Sequence, residues 1–439
     1  VGVFSHNPRL FNLLLKALST AQRRRLEEFL RPDVWDEDLQ AELKRLRKYI
    51  WLRTAGSESY RRVFRRVTEK NPHFIRHLGN VERLRRYASG FLALPENGNN
   101  EEEMKQALAD YYDLANLACS IEALNGGSLE DYTSSFVELS DTYMSALHSS
   151  CRRKAVQKTG TRVETRDLFV VLATGSYGRG EAFGDDYDLI MVLNPEDPEI
   201  FAFSKKVCTY LHRSLVQRGI IPQYRFADHF GEFVVRFSQL REWFESGQAD
   251  AVDRTQLLSA RMVVGSSRML GRIQQEIVAR HICDVAGDFC LELAGEMDER
   301  RQCVIPEEPG YLNIKDCAGG LRDIEYLILM MKATFRVLEP VSQHLFQMMP
   351  VLNEQHRGEI ETLETCHREL RRVRDLYRLA VAAESAINLE ELGPVAAIMG
   401  YVDEDGNGDT AALVDVVHEQ LELVTEAAET IISALTEAT

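Results

Sequence analysis

Asp186 and Asp188 stand on either side of Tyr187 in the segment "GSYGRGEAFGDDYDLIMVL", Gly175 to Leu193. The apolar run that follows predicts a strand, whose alternate residues point the same way. Both carboxylates would then share one face, with Tyr187 turned into the other. Two carboxylates so placed suit Mg²⁺, a hard ion that takes oxygen ligands and keeps substrate phosphates in its shell. Gly175 and Ser176 close the preceding apolar run, where a glycine lets backbone N–H groups approach a phosphate closely. Arg179 adds a cationic fork for phosphate oxygens, and Glu181 completes an Arg/Glu pair. The chemistry is that of gripping a triphosphate and a metal ion. An acidic surface turn is the plainer reading. It leaves unexplained why Asp188 interrupts "YDLIMVL", where an unpaired carboxylate near a core is costly.

A second constellation lies in "YLNIKDCAGGLRDIEYLILM", Tyr311 to Met330. Gly319 and Gly320 could form a tight turn that presents the N-terminus of a helix beginning near Leu321, with Lys315 beside phosphates. Alternatively Asp323 caps that helix and Lys315 makes a structural ion pair. The residues alone leave both open.

The elements that must position these residues fall into three stretches. Residues 1–157 read as helical, with apolar residues at three- and four-residue intervals in "DEDLQAELKRLRKYIWL" and "EEEMKQALADYYDLANLACSIEAL". Residues 158–266 mix types. "DLFVVLAT" and "YDLIMVLN" are buried strands, and a helix runs from Pro198 to near Gly219. "PQYRFADHFGEFVVRF" is expected to be a hairpin broken around His229 to Gly231, and "DRTQLLSARMVVG" a helix. Residues 267–439 are again helical and suggest a bundle. The predicted fold class is α+β, predominantly helical, with a small mixed sheet flanked by an N-terminal helical domain and a C-terminal helix bundle.

The Gly-Ser turn, a gap of nine residues from Ser176 to Asp186, and Asp-x-Asp resemble the nucleotidyltransferase superfamily that includes DNA polymerase β. Within it, "GSYGRGE" with "DDYDLI" is most similar to the glutamine synthetase adenylyltransferase and the PII uridylyltransferase. Lys315, Gly319, Gly320, Asp323 and Ile324 match a pattern both families carry. Asp-Ile-Glu-Tyr and the helical front, including "FSHNPRLFNLLLKA", lean toward a single adenylyltransferase-type module. The resemblance implies Asp186 and Asp188 as catalytic metal ligands for Mg²⁺. It implies Gly175, Ser176, Arg179, Glu181, Lys315 and Asp323 as nucleotide-binding positions, ATP as substrate, and glutamine synthetase as protein partner. A PII-type signalling protein with UTP is the alternative, and a non-catalytic nucleotide sensor or docking protein a third. Where the family carries a further aspartate before an arginine, this chain reads "PQYR". Gln223 then takes the carboxylate position and Arg225 the arginine, with Asp228 or Glu232 as substitutes if the register differs.

The net charge of −16 is unevenly spread: residues 1–90 carry 20 Lys and Arg against 10 Asp and Glu. The acidic remainder disfavours nucleic-acid binding. Eight cysteines without a Cys-x-x-Cys pair point to reduced thiols in a cytoplasmic protein, with neither zinc nor disulfides. No run of about 18 apolar residues predicts a membrane span, and no signal peptide is expected at the first residues. "DEDGNGDTAALV", from Asp403, matches half of a calcium loop but has Val414 where a bidentate Glu is needed. It is read as a polar inter-helix loop. Cys366 and His367, mid-helix and without evident partners, are assigned to packing.

Overall fold

The computed structural model describes residues 81–92, 101–124, 127–160, 168–183, 187–218, 220–303, 310–381 and 386–437. The expected helices before residue 81, and Asp186, lie outside the described residues.

The described chain is predominantly helical around one mixed sheet. Strand β1 (Phe169–Ala173) and strand β2 (Asp188–Leu193) are buried along their whole length, as their unbroken apolar runs require when both faces are covered. They pair antiparallel, with Val171 opposite Met191 and Ala173 opposite Leu189. Between them Gly175–Gly178 makes a single helical turn, α1. Helix α2 (Pro198–Arg218) carries the chain back along the sheet. Its start is set by Asp197, whose carboxylate accepts from the N–H groups of Glu199 and Ile200 at 2.9 and 3.0 Å, with Pro198 at the first helical position.

The return helix makes the next strands parallel to β2. Strand β3 (Gln223–Tyr224) pairs with its first residues and strand β4 (Val234–Arg236) with its last. The expected hairpin is therefore not formed, because β3 and β4 each pair with β2. Phe226 and Gly231, both left-handed with φ of 69°, bracket the helical turn α3 (Ala227–Phe230) and let the chain resume its direction. Helix α4 (Phe237–Glu245) and helix α5 (Ala251–Leu258) follow. Asp253 ties the three together, accepting from Trp243 Nε1 at 2.9 Å and lying 3.0 Å from His229 Nε2. "RMVVG", read from sequence as the end of a helix, is strand β5 (Arg261–Gly265), antiparallel to β1. Its β-branched pair fits a pleated surface better than a helix.

The remaining helices that bear on the site are α6 (Ala286–Cys303), α7 (Leu321–Phe335), α8 (Ser342–Leu352), α9 (Arg357–Ala380) and α10 (Thr410–Glu437). Helix α7 is buried along most of its length, Lys332 included.

The chain packs as two units. One holds residues 140–309, 313–371 and 415–439, and with them the sheet and the site. The other holds 1–139, 310–312 and 372–414. In the second unit the helices Val81–Ser89 and Glu101–Leu124 are joined by an Arg85–Glu122 pair at 2.6 Å. There Asp403 accepts from the N–H groups of Asp405 and Asn407 at 3.0 and 2.7 Å, so its carboxylate orders a polar loop. No described helix is long and apolar enough to cross a membrane.

Candidate active site

Asp188 opens β2 and is nearly buried, at 8% exposure. The backbone around it is fully used: its carbonyl accepts from Thr174 N–H at 3.0 Å, and those of Tyr187 and Leu189 accept from Gln223 and Arg225. Gly175 lies against its carboxylate. A Cβ there would stand 2.4 Å from Asp188 Oδ2, and Gly175 has a φ of +57°. Glycine is required at this place twice over, for the left-handed backbone and for the close approach. Thr174 fixes the turn from behind, donating its hydroxyl to the Gln256 carbonyl at 2.6 Å and lying 3.1 Å from the Ser259 hydroxyl. Tyr187 is directed away, packing edge-on against Tyr177, whose hydroxyl donates to Asp141 at 2.7 Å.

The register across β2 and β3 sets Gln223 beside Asp188, so the neighbouring position on that face carries an amide. Arg225, two residues on and just past the strand, donates from its Nη2 to Asp188 Oδ1 at 3.0 Å. Neither proposed substitute replaces the amide in this register. Glu232 pairs with Lys205 at 2.7 Å, and Asp228 is exposed on α3. The donors described here, the Asp188 carboxylate and the Gln223 amide oxygen beside a glycine with no side chain, fit a hard oxygen-seeking cation whose other ligands are phosphate oxygens.

Arg179 and Glu181 belong to a different cluster beneath the turn. Arg179 is buried, its Nε 3.2 Å from Glu181 and its Nη1 2.6 Å from Glu325 of α7. Arg322 holds the other oxygen of Glu325 at 3.1 Å. Glu181 also lies 3.2 Å from His367 and 3.8 Å from Arg371, both on α9. Burial alone would raise the Glu181 carboxyl, but Arg179, Arg371 and His367 outweigh it and hold it well below the usual carboxylate range. The Glu325 carboxyl is held low in the same way against burial, by Arg179 and Arg322 with help from Lys315. As folded, the Arg179 fork is committed to two carboxylates. His367, assigned from sequence to packing, has Glu181 as its partner, and nothing in the local sequence announces a contact across 186 residues.

In the second constellation Gly320 is the N-cap of α7, without a side-chain cap hydrogen bond. The first N–H groups around the start of α7 are spent on loop carbonyls: Gly320 on Cys317, Leu321 on Ile314 and Arg322 on Lys315. The Asp323 carboxylate accepts from Gly319 N–H at 2.8 Å and pairs with Arg301 at 2.6 Å. Gly319 is left-handed, and a Cβ there would stand 1.9 Å from the Leu421 carbonyl of α10. The Gly-Gly pair thus lets a loop lie on the backbone of a helix.

One further group supports the turn. Lys332 of α7, 1% exposed, donates to the Leu258 carbonyl at 2.6 Å, at the end of α5 just before Ser259. Burial, with Arg179 adding to it, pushes its ammonium down to about 7.

The model of the GlnD PII-uridylyltransferase family matches residues 295–432, which take in α7 and α9 but lie beyond Asp188. A bifunctional uridylyltransferase/uridylyl-removing enzyme of Azotobacter vinelandii is 25% identical over 237 residues, 54% of this chain and 24% of its own. The protein of that name from Pseudomonas fluorescens is 26% identical over 247 residues, 55% and 25% of the two chains. That of Zymomonas mobilis is 26% identical over 264 residues, 56% and 26%. The chain spans about a quarter of the length of these curated relatives. The expected leaning toward the adenylyltransferase is thereby corrected, since these names are uridylyltransferase names. The kinship of this chain lies with the nucleotidyltransferase group that holds the PII uridylyltransferases.

Proposed function

We propose that this chain carries the nucleotidyl-transferring site of an enzyme that moves UMP from UTP to a PII-type signalling protein. The observation that carries the reading is the Asp188 carboxylate at the head of β2, set against the left-handed Gly175. The names of the relatives favour uridylyl over adenylyl transfer. They favour a PII-type acceptor over glutamine synthetase.

In this reading the acceptor oxygen forms a bond to the α-phosphorus and pyrophosphate leaves with the departing electron pair. Gly175 and Ser176 meet the phosphates where a side chain at residue 175 would collide with Asp188. Asp188 and Gln223 hold a Mg²⁺ ion, with Asp186 as the proposed second carboxylate. Bound there, the ion would neutralise charge on the leaving pyrophosphate. Glu181, Glu325 and Arg179 fix the start of the segment that leads to Asp186.

A second reading, nucleotide binding without turnover, is favoured by Gln223, which leaves one fewer negative charge beside Asp188. The test is transfer of label from α-labelled UTP or ATP, with Mg²⁺, to a PII-type protein or to glutamine synthetase. Label from UTP on the PII-type protein is the expected result. Nucleotide binding without label transfer establishes the second reading, and label from ATP on glutamine synthetase refutes the base and partner proposed.

A further inference from the structure

Two arginines approach the glycine turn, and they are not equivalent. Arg179 is 8% exposed and each end of its fork already faces a carboxylate. Moving it would strand Glu181 and Glu325 in the interior, which is costly. Arg225 is the reverse: its side chain is 37% exposed, it directly follows the short edge strand β3, and it holds Asp188 by Nη2 alone. Among the described residues its Nε is buried with no hydrogen-bond partner. A guanidinium offers a fork that matches two oxygens of a phosphate, and half of this fork is unspent.

The pairing also sets a cation against the Asp188 carboxylate. With Gln223 neutral in the adjacent register position, Arg225 faces the Asp188 carboxylate at Oδ1, and a cation that takes this oxygen displaces it. A displaced Arg225 is a free cationic fork at the mouth of the site.

We propose that Arg225 has two positions, neutralising Asp188 in the empty site and turning to the phosphates of a nucleoside triphosphate when a divalent cation takes the carboxylate. Metal and nucleotide then assist each other's binding through one side chain, and by linkage the assistance is equal in both directions. The inference rests on the nucleotide site proposed above, but its metal arm does not need turnover. In the absence of nucleotide Arg225 competes with the metal. In its presence Arg225 rewards the metal for binding.

The experiment compares the whole chain with Arg225→Gln. A second variant, Lys205→Gln, removes one positive charge nearby in sequence whose partner is the exposed Glu232. Mn²⁺ binding is read by electron paramagnetic resonance. UTP binding is read by calorimetry, in EDTA and in excess Mn²⁺. Loss of one charge-assisted bond predicts that Arg225→Gln binds Mn²⁺ alone about tenfold tighter than the parent. It should bind UTP with Mn²⁺ about tenfold more weakly, with the mutual assistance lost. Lys205→Gln should match the parent in every arm. Equal Mn²⁺ affinity in parent and Arg225→Gln overturns the proposal, as does Lys205→Gln behaving like Arg225→Gln. Failure of Arg225→Gln to take Mn²⁺ at millimolar concentration overturns it too. If the Mn²⁺ arm behaves as expected but no labelled nucleotide is ever transferred, the enzyme reading fails and the two-position arginine stands.

Discussion

Lys332 offers the sharpest physical test, because a single buried ammonium should tilt the stability of the chain with pH. Its pKa falls from 10.5 to about 7 on folding. Between those values the unfolded chain holds a proton that the folded chain has released, so stability rises with pH across that window. Each unit is worth about 1.4 kcal/mol, and the window of roughly 3.5 units gives at most about 5 kcal/mol. Below pH 7 both states are protonated and the burial penalty is constant. Lys332→Met keeps the volume and removes the titration, but leaves the Leu258 carbonyl without its donor at a loss of about 2 kcal/mol. The variant should exceed the parent by about 3 kcal/mol at pH 6, and the two curves should cross near about pH 9. Urea unfolding followed by circular dichroism at pH 6, 7, 8, 9 and 10 measures the difference, and groups that titrate alike in both proteins cancel. Parallel curves across that range would refute the reasoning, because Lys332 would then keep its proton in the folded chain.

Two further expectations concern the turn itself. Gly175→Ala places a Cβ 2.4 Å from Asp188 Oδ2 at a φ of +57°. The variant should lose Mn²⁺ and UTP binding by at least about tenfold while destabilising the chain by only about 1–2 kcal/mol. Unchanged affinity would separate the turn from the site. Glu181→Gln leaves Arg179 and Arg371 short of a buried counter-charge and should cost about 3–5 kcal/mol at neutral pH. The folded pKa of Glu181 is depressed, so its contribution is complete above the ordinary 4.5 and is lost as pH falls through the folded value. The variant should therefore lack that part of the acid-side fall in stability, which acid titration of both proteins by circular dichroism checks.

How far the site could be read from sequence depended on the range of the interaction. Gly175 and Asp188 were legible because an apolar run has to stop where a glycine or a carboxylate appears, and the two lie only 13 positions apart. Helix α2 was legible through Asp197 and Pro198 for the same reason. The hairpin reading of β3 and β4 failed at Phe226, whose left-handed backbone no propensity would assign to a bulky residue. It is held there by packing on Phe230 and Phe244 and by the neighbouring His229–Asp253 contact. Strand β5 was hidden in a run that also suits a helix, until β1 offered it a partner. Arg225 is legible as an arginine of the expected type, but its pairing with Asp188 follows only from the parallel register.

The two constellations that stand apart in sequence have a common physical purpose in the fold. Gly319 lies on the backbone of α10, and Asp323 closes the loop through Gly319 N–H and Arg301, which fixes where α7 begins. Glu325, at the start of the second turn of that helix, then reaches Arg179 just after the glycine turn. Lys332, two helical turns further on, reaches the end of α5, whose Gln256 and Ser259 hold Thr174 just before it. Helix α7 therefore holds the turn at Gly175 from both flanks. A chain that kept Asp188 but lost the Gly-Gly loop would keep its carboxylate and lose the placement of the turn. The spacing of the second constellation is explained by what it supports, and its first-turn N–H groups are already held by loop carbonyls.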